Sequence, residues 1–255
     1  MKVLKDFGIG IKYYFKAISF AFANSMGWYL LFPVVIGILL FIVGWFYVDY
    51  LIGLVDVHLK TFLQGKFFLS DYIKPLLSGV IWVFVKLSFI IFFSYLNGYV
   101  LLILLSPFLS YVSEKTEKIL TGQSYPFNLK FFVSDVFRGI SIGIRNFFYE
   151  MFLHILLLII IFIPLVGQAI AIFSPLIIFL ISSYFYGSSF IDYYSERRHW
   201  SVKKSIMFVR ENKGLSLSQG IIFYLFLIVP IIGSLLSGIS AVISTIAINL
   251  YFEKK

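Results

Sequence analysis

The residues of this chain that could do chemistry are few and mostly cationic. His58, His154 and His199 stand alone, with no His-Glu-x-x-His spacing for a metal. There are no cysteines, which excludes disulfides and thiolate metal sites. No Ser/His/Asp set and no phosphate-cradling glycine loop is visible, so neither catalysis nor a cofactor is expected. What remains is charge set beside apolar runs. Lys86 lies within one such run. Asp135 and Arg138 precede another, and Arg145 follows Arg138 by seven residues, on the same helix face. Asp192 comes directly after a long apolar run and is followed by Arg197 and Arg198. A guanidinium can hold a carboxylate or an oxyanion bidentately. Each of these residues therefore has two readings. Lys86 is either a functional intramembrane cation or a lysine that snorkels to the interface or pairs with a carbonyl or phenol. Asp135, Arg138, Asp192, Arg197 and Arg198 are expected to meet. Asp135, Asp192 and Arg198 form the structural part of that cluster, and Lys86, Arg138 and Arg197 are the candidates for an anion path. The competing reading makes the whole cluster a set of fold-stabilising salt bridges.

The elements that position these residues must be membrane helices. Of 255 residues, 60% are hydrophobic and only 13% charged. The apolar residues come in long runs that do not alternate, which sets a β-barrel aside. The expected class is all-α, a single polytopic integral-membrane domain over 1–255. Residues 1–25 place Phe7, Ile11, Tyr14, Phe15, Ile18 and Phe22 at helical steps, with Lys5, Lys12 and Lys16 on another face. That pattern points to an amphipathic interfacial helix, ahead of one packed on the protein's own surface. Residues 28–55 and 76–112 are long apolar helices. The second would exceed the bilayer if straight, so it protrudes or breaks, at Asn97-Gly98 or Ser106-Pro107. Residues 113–150 and 192–219 read as polar, helical loops. No cleavable signal peptide is expected at the N-terminus.

Residues 152–191 and 220–251 read as helical hairpins. About forty residues from Phe152 pass without an acid, Lys or Arg, a run that suits a bilayer. Pro164 and Gly167 interrupt it, and Pro230 and Gly233 repeat the interruption in Val229-Pro-Ile-Ile-Gly233. The arms before these prolines have roughly a dozen and roughly ten residues, too short to cross a hydrocarbon core of about 30 Å. Each is expected to enter, turn and return.

Lys and Arg number 17 in the N-terminus, residues 113–150, residues 192–219 and the tail, against three in 56–75. The positive-inside rule then puts both termini and both loops in the cytoplasm. The formal charge of +9 is matched to an anionic membrane surface rather than to nucleic acid.

Ser106-Pro-Phe, Glu114-x-x-Glu117-x-x-Leu120-Thr-Gly122, Asp135-Val-x-Arg138, Phe162-Ile-Pro-x-Val-Gly-Gln168 and Asp192-Tyr-x-x-Glu-Arg-Arg198 occur in that order. Together they resemble the CysZ sulfate-permease family, part of a wider group with the etoposide-induced membrane proteins. The resemblance runs over nearly the whole chain. It implies a bacterial inner-membrane protein with two long spanning helices and two half-inserted hairpins. It also implies a homo-oligomer in the lipid bilayer that passes sulfate into the cytoplasm for cysteine synthesis. The family's Gly-x-Arg-Arg motif, associated with sulfate binding, is replaced here by Ser25-Met26-Gly27-Trp28. Any anion handled by this chain is therefore expected to meet other residues. The alternative function is a non-transporting membrane protein that binds lipid or protein partners at its basic face.

Overall fold

The computed structural model describes residues 2–66, 73–123, 129–198, 200–229 and 232–253. Among them the chain is helical, without strands. The helices are α1 (Lys2–Ala23), α2 (Leu31–Lys66), α3 (Ile73–Thr121), α4 (Leu129–Ile161), α5 (Val166–Glu196), α6 (Val202–Glu211), α7 (Lys213–Leu227) and α8 (Gly233–Glu253). A short 3₁₀ turn over Gly27–Leu30 joins α1 to α2. Five segments among the described residues are long and apolar enough to cross a membrane: Gly27–Val55, Leu96–Thr121, Val136–Ile161, Val166–Glu196 and Gly233–Glu253.

α3 runs unbroken for 49 residues, about 74 Å. It passes through both candidate break positions, Asn97-Gly98 and Ser106-Pro107. Pro107 cannot donate to the carbonyl of Ile103, but the Ser106 hydroxyl does so instead, at 2.9 Å. The same device recurs in α5, where the Ser174 hydroxyl donates at 2.8 Å to Ala171, the carbonyl that Pro175 leaves unserved. Each Ser-Pro pair thus repairs its own gap, as apolar surroundings require. Gly98 marks a contact and not a break: a Cβ there would fall 2.5 Å from the Tyr186 hydroxyl. α3 stops at Gly122, whose φ of +77° and N–H bond to the Lys118 carbonyl at 2.9 Å end the helix.

The first hairpin differs from its expected shape. The arm before Pro164 is the end of α4, a helix of 33 residues, not a separate piece of about a dozen. The polar residues Arg138, Arg145, Asn146 and Glu150 do not interrupt it, because their spacing keeps them near one side while Phe137, Ile144 and Phe148 are exposed on the other. The boundary drawn at residue 150 therefore falls inside one continuous helix. α7 is short, at 15 residues or about 22 Å.

The turn between α4 and α5 is tight. Val166 N–H bonds the Pro164 carbonyl at 2.8 Å across Leu165, whose φ of 68° and ψ of −59° are those of a strained γ-turn. Gly167 is buried, and a Cβ on it would meet the Ile161 carbonyl oxygen at 2.1 Å. Gly233 stands in the same relation to Leu227, at 2.2 Å, again six residues back. Residues 56–75 do not form a loop as their Lys residues and turn into the next apolar run suggest: 56–66 continue α2 and 73–75 open α3, while residues 67–72, like Pro230, lie outside the described residues.

α8 is the central helix. Its Gly, Ser and Ala positions, among them Ser237, Gly238, Ser240, Ala241 and Ser244, are buried, which lets α1, α2, α3 and α7 approach closely. α1 packs on α7 and α8 through Asp6, Gly10, Tyr14, Ala17 and Ala21. The Gln219 amide donates to the Gly10 carbonyl at 2.8 Å, and the Tyr14 hydroxyl donates to Ser240 at 3.1 Å. The protein-facing side of α1 is thus mostly small residues. Of the aromatic positions read as an apolar face, Tyr14 is buried while Phe15 and Phe22 are exposed.

Candidate polar interior and anion site

The charged side chains sort into separate places. Asp192, buried at the end of α5, is gripped by Arg138 of α4 through Nε at 3.1 Å and Nη2 at 2.8 Å. Ser205 of α6 donates to the same carboxylate, and Arg138 also reaches the Trp200 carbonyl. A carboxylate just past an apolar run is poorly solvated, and a bidentate guanidinium plus a hydroxyl replaces its water. This group ties α4, α5 and α6 together.

Arg197 and Arg198 are elsewhere. Arg197 is buried, donates to the Ser113 carbonyl at 2.9 Å, and also binds Glu117 and Asn249. Arg198 lies over the Tyr194 ring at 3.6 Å and binds Glu117, at 3.3 Å, and Glu253. Together they fasten the ends of α3, α5 and α8. The expected single cluster is therefore split in two, because Arg138 and the Arg197–Arg198 pair meet different neighbouring helices. The side chain of Asp135 lies outside the described residues. Lys86 is far down α3, its ammonium over the Trp82 ring at 4.6 Å, one turn away.

Sequence reasoning missed the residues between these places. Glu150 of α4 is fully buried, accepting from Tyr99 of α3 and from Ser182 of α5 at 2.5 Å. His154 lies 4.0 Å from it, one turn on. Asn146 donates to Ser188 at 2.9 Å and accepts from Arg145 at 3.1 Å. With Arg138–Asp192 these groups make a polar seam along the α4–α5 contact. From Arg138 to His154 it is sixteen residues long, about 24 Å. The signal was present in the four- and seven-residue steps from Arg138 through Arg145 and Asn146 to Glu150 and His154. It is hidden in the sequence because a boundary at residue 150 separates Glu150 from His154, which the fold places one turn apart on the same helix.

Alongside the middle of the seam a cavity of about 140 Å³ opens between α4, α5 and α6. Arg145, Asn146, Tyr184, Ser188, Asp192 and Arg210 are among its lining residues. Arg145 lies over the Tyr149 ring at 4.9 Å. Among the described residues no carboxylate lies within salt-bridge distance of Arg145 or Arg210. No group of three or more His, Asp or Glu suited to a metal is present among them either.

A body of long apolar helices enclosing a polar seam is a multi-pass helical membrane protein. The model of the family described as sulfate transporter CysZ/etoposide-induced protein 2.4 matches residues 13–237, and the chain belongs to that family. A relative from Pectobacterium atrosepticum, named sulfate transporter CysZ, is 29% identical over 155 residues, 60% of this chain. The match spans 55% of that relative's own length, a little over half.

Proposed function

We propose that this protein conducts a small inorganic oxyanion, sulfate foremost, across the bacterial inner membrane into the cytoplasm, where it feeds cysteine synthesis. The observation that carries this reading is the polar seam. Its length of about 24 Å is most of a hydrocarbon thickness of about 30 Å, and it runs inside helices whose outer faces are apolar. Buried polar side chains in membrane helices mark solute paths by default. Membership of the sulfate-transporter family points to the same substrate class.

In this reading α2 and α3 are the two long spans, the α4–α5 hairpin carries the seam, and the turns of the α4–α5 and α7–α8 hairpins lie inside the bilayer. Both termini face the cytoplasm. The exposed apolar surface of α2, with Trp45, Phe46 and Tyr50, and that of the hairpin tips, with Phe162 and Leu165, meets lipid and further copies of the chain in a homo-oligomer.

The test is uptake of radiolabelled sulfate into proteoliposomes carrying the purified protein. Uptake above protein-free liposomes, dependent on the sulfate gradient, is expected. Absence of flux under every inorganic anion gradient tried would reject transport in favour of a membrane protein that binds partners at its basic face.

A further inference from the structure

The family's arginine pair ahead of the first long helix is missing here, so the cation that meets an anion must be sought elsewhere. The cations named from sequence do not suit the task. Arg138 holds Asp192, Arg197 is closed in by Glu117 and Asn249, and Lys86 sits against Trp82. A guanidinium already satisfied by a buried carboxylate has to break that bond before it can hold a ligand.

We infer that the cavity between α4, α5 and α6 is a binding site for a small divalent oxyanion, held by Arg145 and Arg210. The two arginines come from different helices and converge on one opening. Tyr184 of α5 lines the same cavity between them. Arg145 is held in orientation by the Asn146 side-chain oxygen at 3.1 Å and by the Tyr149 ring beneath it. One N–H of a guanidinium is used in the Asn146 bond, and a guanidinium has five.

The charge balance favours an anion of charge two. Asp192 also lines the cavity, but Arg138 and Ser205 occupy its carboxylate, so the pair adds little net charge. Arg145 and Arg210 leave about two positive charges facing the cavity, the complement of a sulfate-like ion. A cavity of about 140 Å³ admits such an ion with some of its water. Arg210 lies in the last turn of α6, where the helix dipole favours a cation and keeps its charge in place. In the transport reading this site borders the seam at Arg145 and Asn146 and holds the anion beside it. The identity of the ligand rests on that reading; the site itself can be measured without any flux.

The experiment is equilibrium binding of radiolabelled sulfate to the purified full chain in detergent, with thiosulfate and phosphate as competitors. Saturable binding is expected in the parent. Replacing both arginines (Arg145→Gln with Arg210→Gln) is expected to weaken it by about tenfold or more, because charge-assisted hydrogen bonds are lost. Lys203→Gln, an exposed change on the same helix, is expected to leave it unaltered. The charge-keeping pair (Arg145→Lys with Arg210→Lys) is expected to bind between the two. It carries the test if the glutamine variant fails to elute as the parent does. Equal binding by parent and glutamine variant, or no saturable binding by the parent, overturns the site. A further arm uses nanodiscs of phosphatidylcholine or of phosphatidylglycerol. Equal sulfate binding in both supports a free oxyanion, whereas displacement of sulfate by phosphatidylglycerol gives the site to a lipid headgroup and overturns the proposal. Arginine-dependent binding without flux of any anion would leave the site standing and remove the transport reading instead. Flux that the glutamine variant fully retains would do the reverse.

Discussion

Gly187 of α5 and Gly220 of α7 face each other so closely that neither tolerates a side chain. A Cβ on Gly220 would fall 1.6 Å from the Ser183 carbonyl oxygen, and one on Gly187 would fall 1.8 Å from that of Ser216. Each glycine thus closes a Ser-x-x-x-Gly motif, Ser183 to Gly187 and Ser216 to Gly220, and the two motifs lie against one another. Where lipid removes the hydrophobic drive between helices, such backbone contact supplies much of the association.

Gly220→Ala is accordingly expected to destabilise the protein by about 1–3 kcal/mol or more, since the clash is with backbone and cannot be relieved by a rotamer. Thermal unfolding in detergent reads it. A variant that melts and elutes like the parent would show that the α5–α7 crossing can open at no cost.

The all-helical class was legible because runs such as 152–191 have no other stable form in a bilayer. The Pro-x-x-Gly repeat was legible too, and Gly167 and Gly233 do stand alike, each over a carbonyl six residues back. Two things were not. The extent of α4 was hidden because Arg138, Arg145 and Glu150 read as a polar loop, when helical spacing turns them inward against α3 and α5. The two-way division of the charge cluster was hidden because Arg138 and Arg197 meet partners from distant parts of the chain, Asp192 and Glu117, and local spacing does not reveal which helices become neighbours. The pairing of Asp192 with an arginine followed from burial alone. Which arginine did not.

Arg138→Ala leaves Asp192 with Ser205 but no guanidinium. Loss of about 3 kcal/mol is expected, the lower end for a buried carboxylate stripped of its partner. Arg138→Met combined with Asp192→Asn removes both charges and is expected to recover most of that stability. Melting temperatures of the single and double variants decide it. A double variant no better than Arg138→Ala would mean that the pair contributes more than mutual neutralisation.

Tyr14 ties α1 to α8, and burial pushes its hydroxyl from 10.0 up to about 12, while its bond to Ser240 opposes the shift. Below pH 10 the phenol is neutral in both folded and unfolded chains, so its contribution is whole. It is lost as the pH rises from 10 through about 12, where the unfolded chain ionises first. The parent's melting temperature is therefore expected to fall more steeply over that interval than that of Tyr14→Phe. Parallel curves would show that α1 does not hold Tyr14 buried.

Thr121 is exposed at the end of α3, beside the left-handed Gly122. With no native cysteine, Thr121→Cys gives a single label site. It is expected to react with a membrane-impermeant maleimide only after the inner membrane is opened. Labelling from the periplasmic side of intact spheroplasts would invert the proposed topology.

Lys86 provides the sharpest contrast with the arginine cavity. It is a cation on a long apolar helix, yet its ammonium lies 4.6 Å from the centre of the Trp82 ring and it does not line the cavity. A cation held on the aromatic of its own helix needs no solute and no acid to satisfy it, and the contact amounts to about 0.5–2 kcal/mol. Lys86→Met keeps the stem and removes the charge. Sulfate uptake by that variant is expected to match the parent within about twofold, with a small loss of stability at most. Trp82→Leu is expected to behave alike, since it removes the ring that Lys86 covers. Loss of most of the flux in Lys86→Met, with folding intact, would place this lysine on the anion path and draw the route along α3 instead of along the α4–α5 seam.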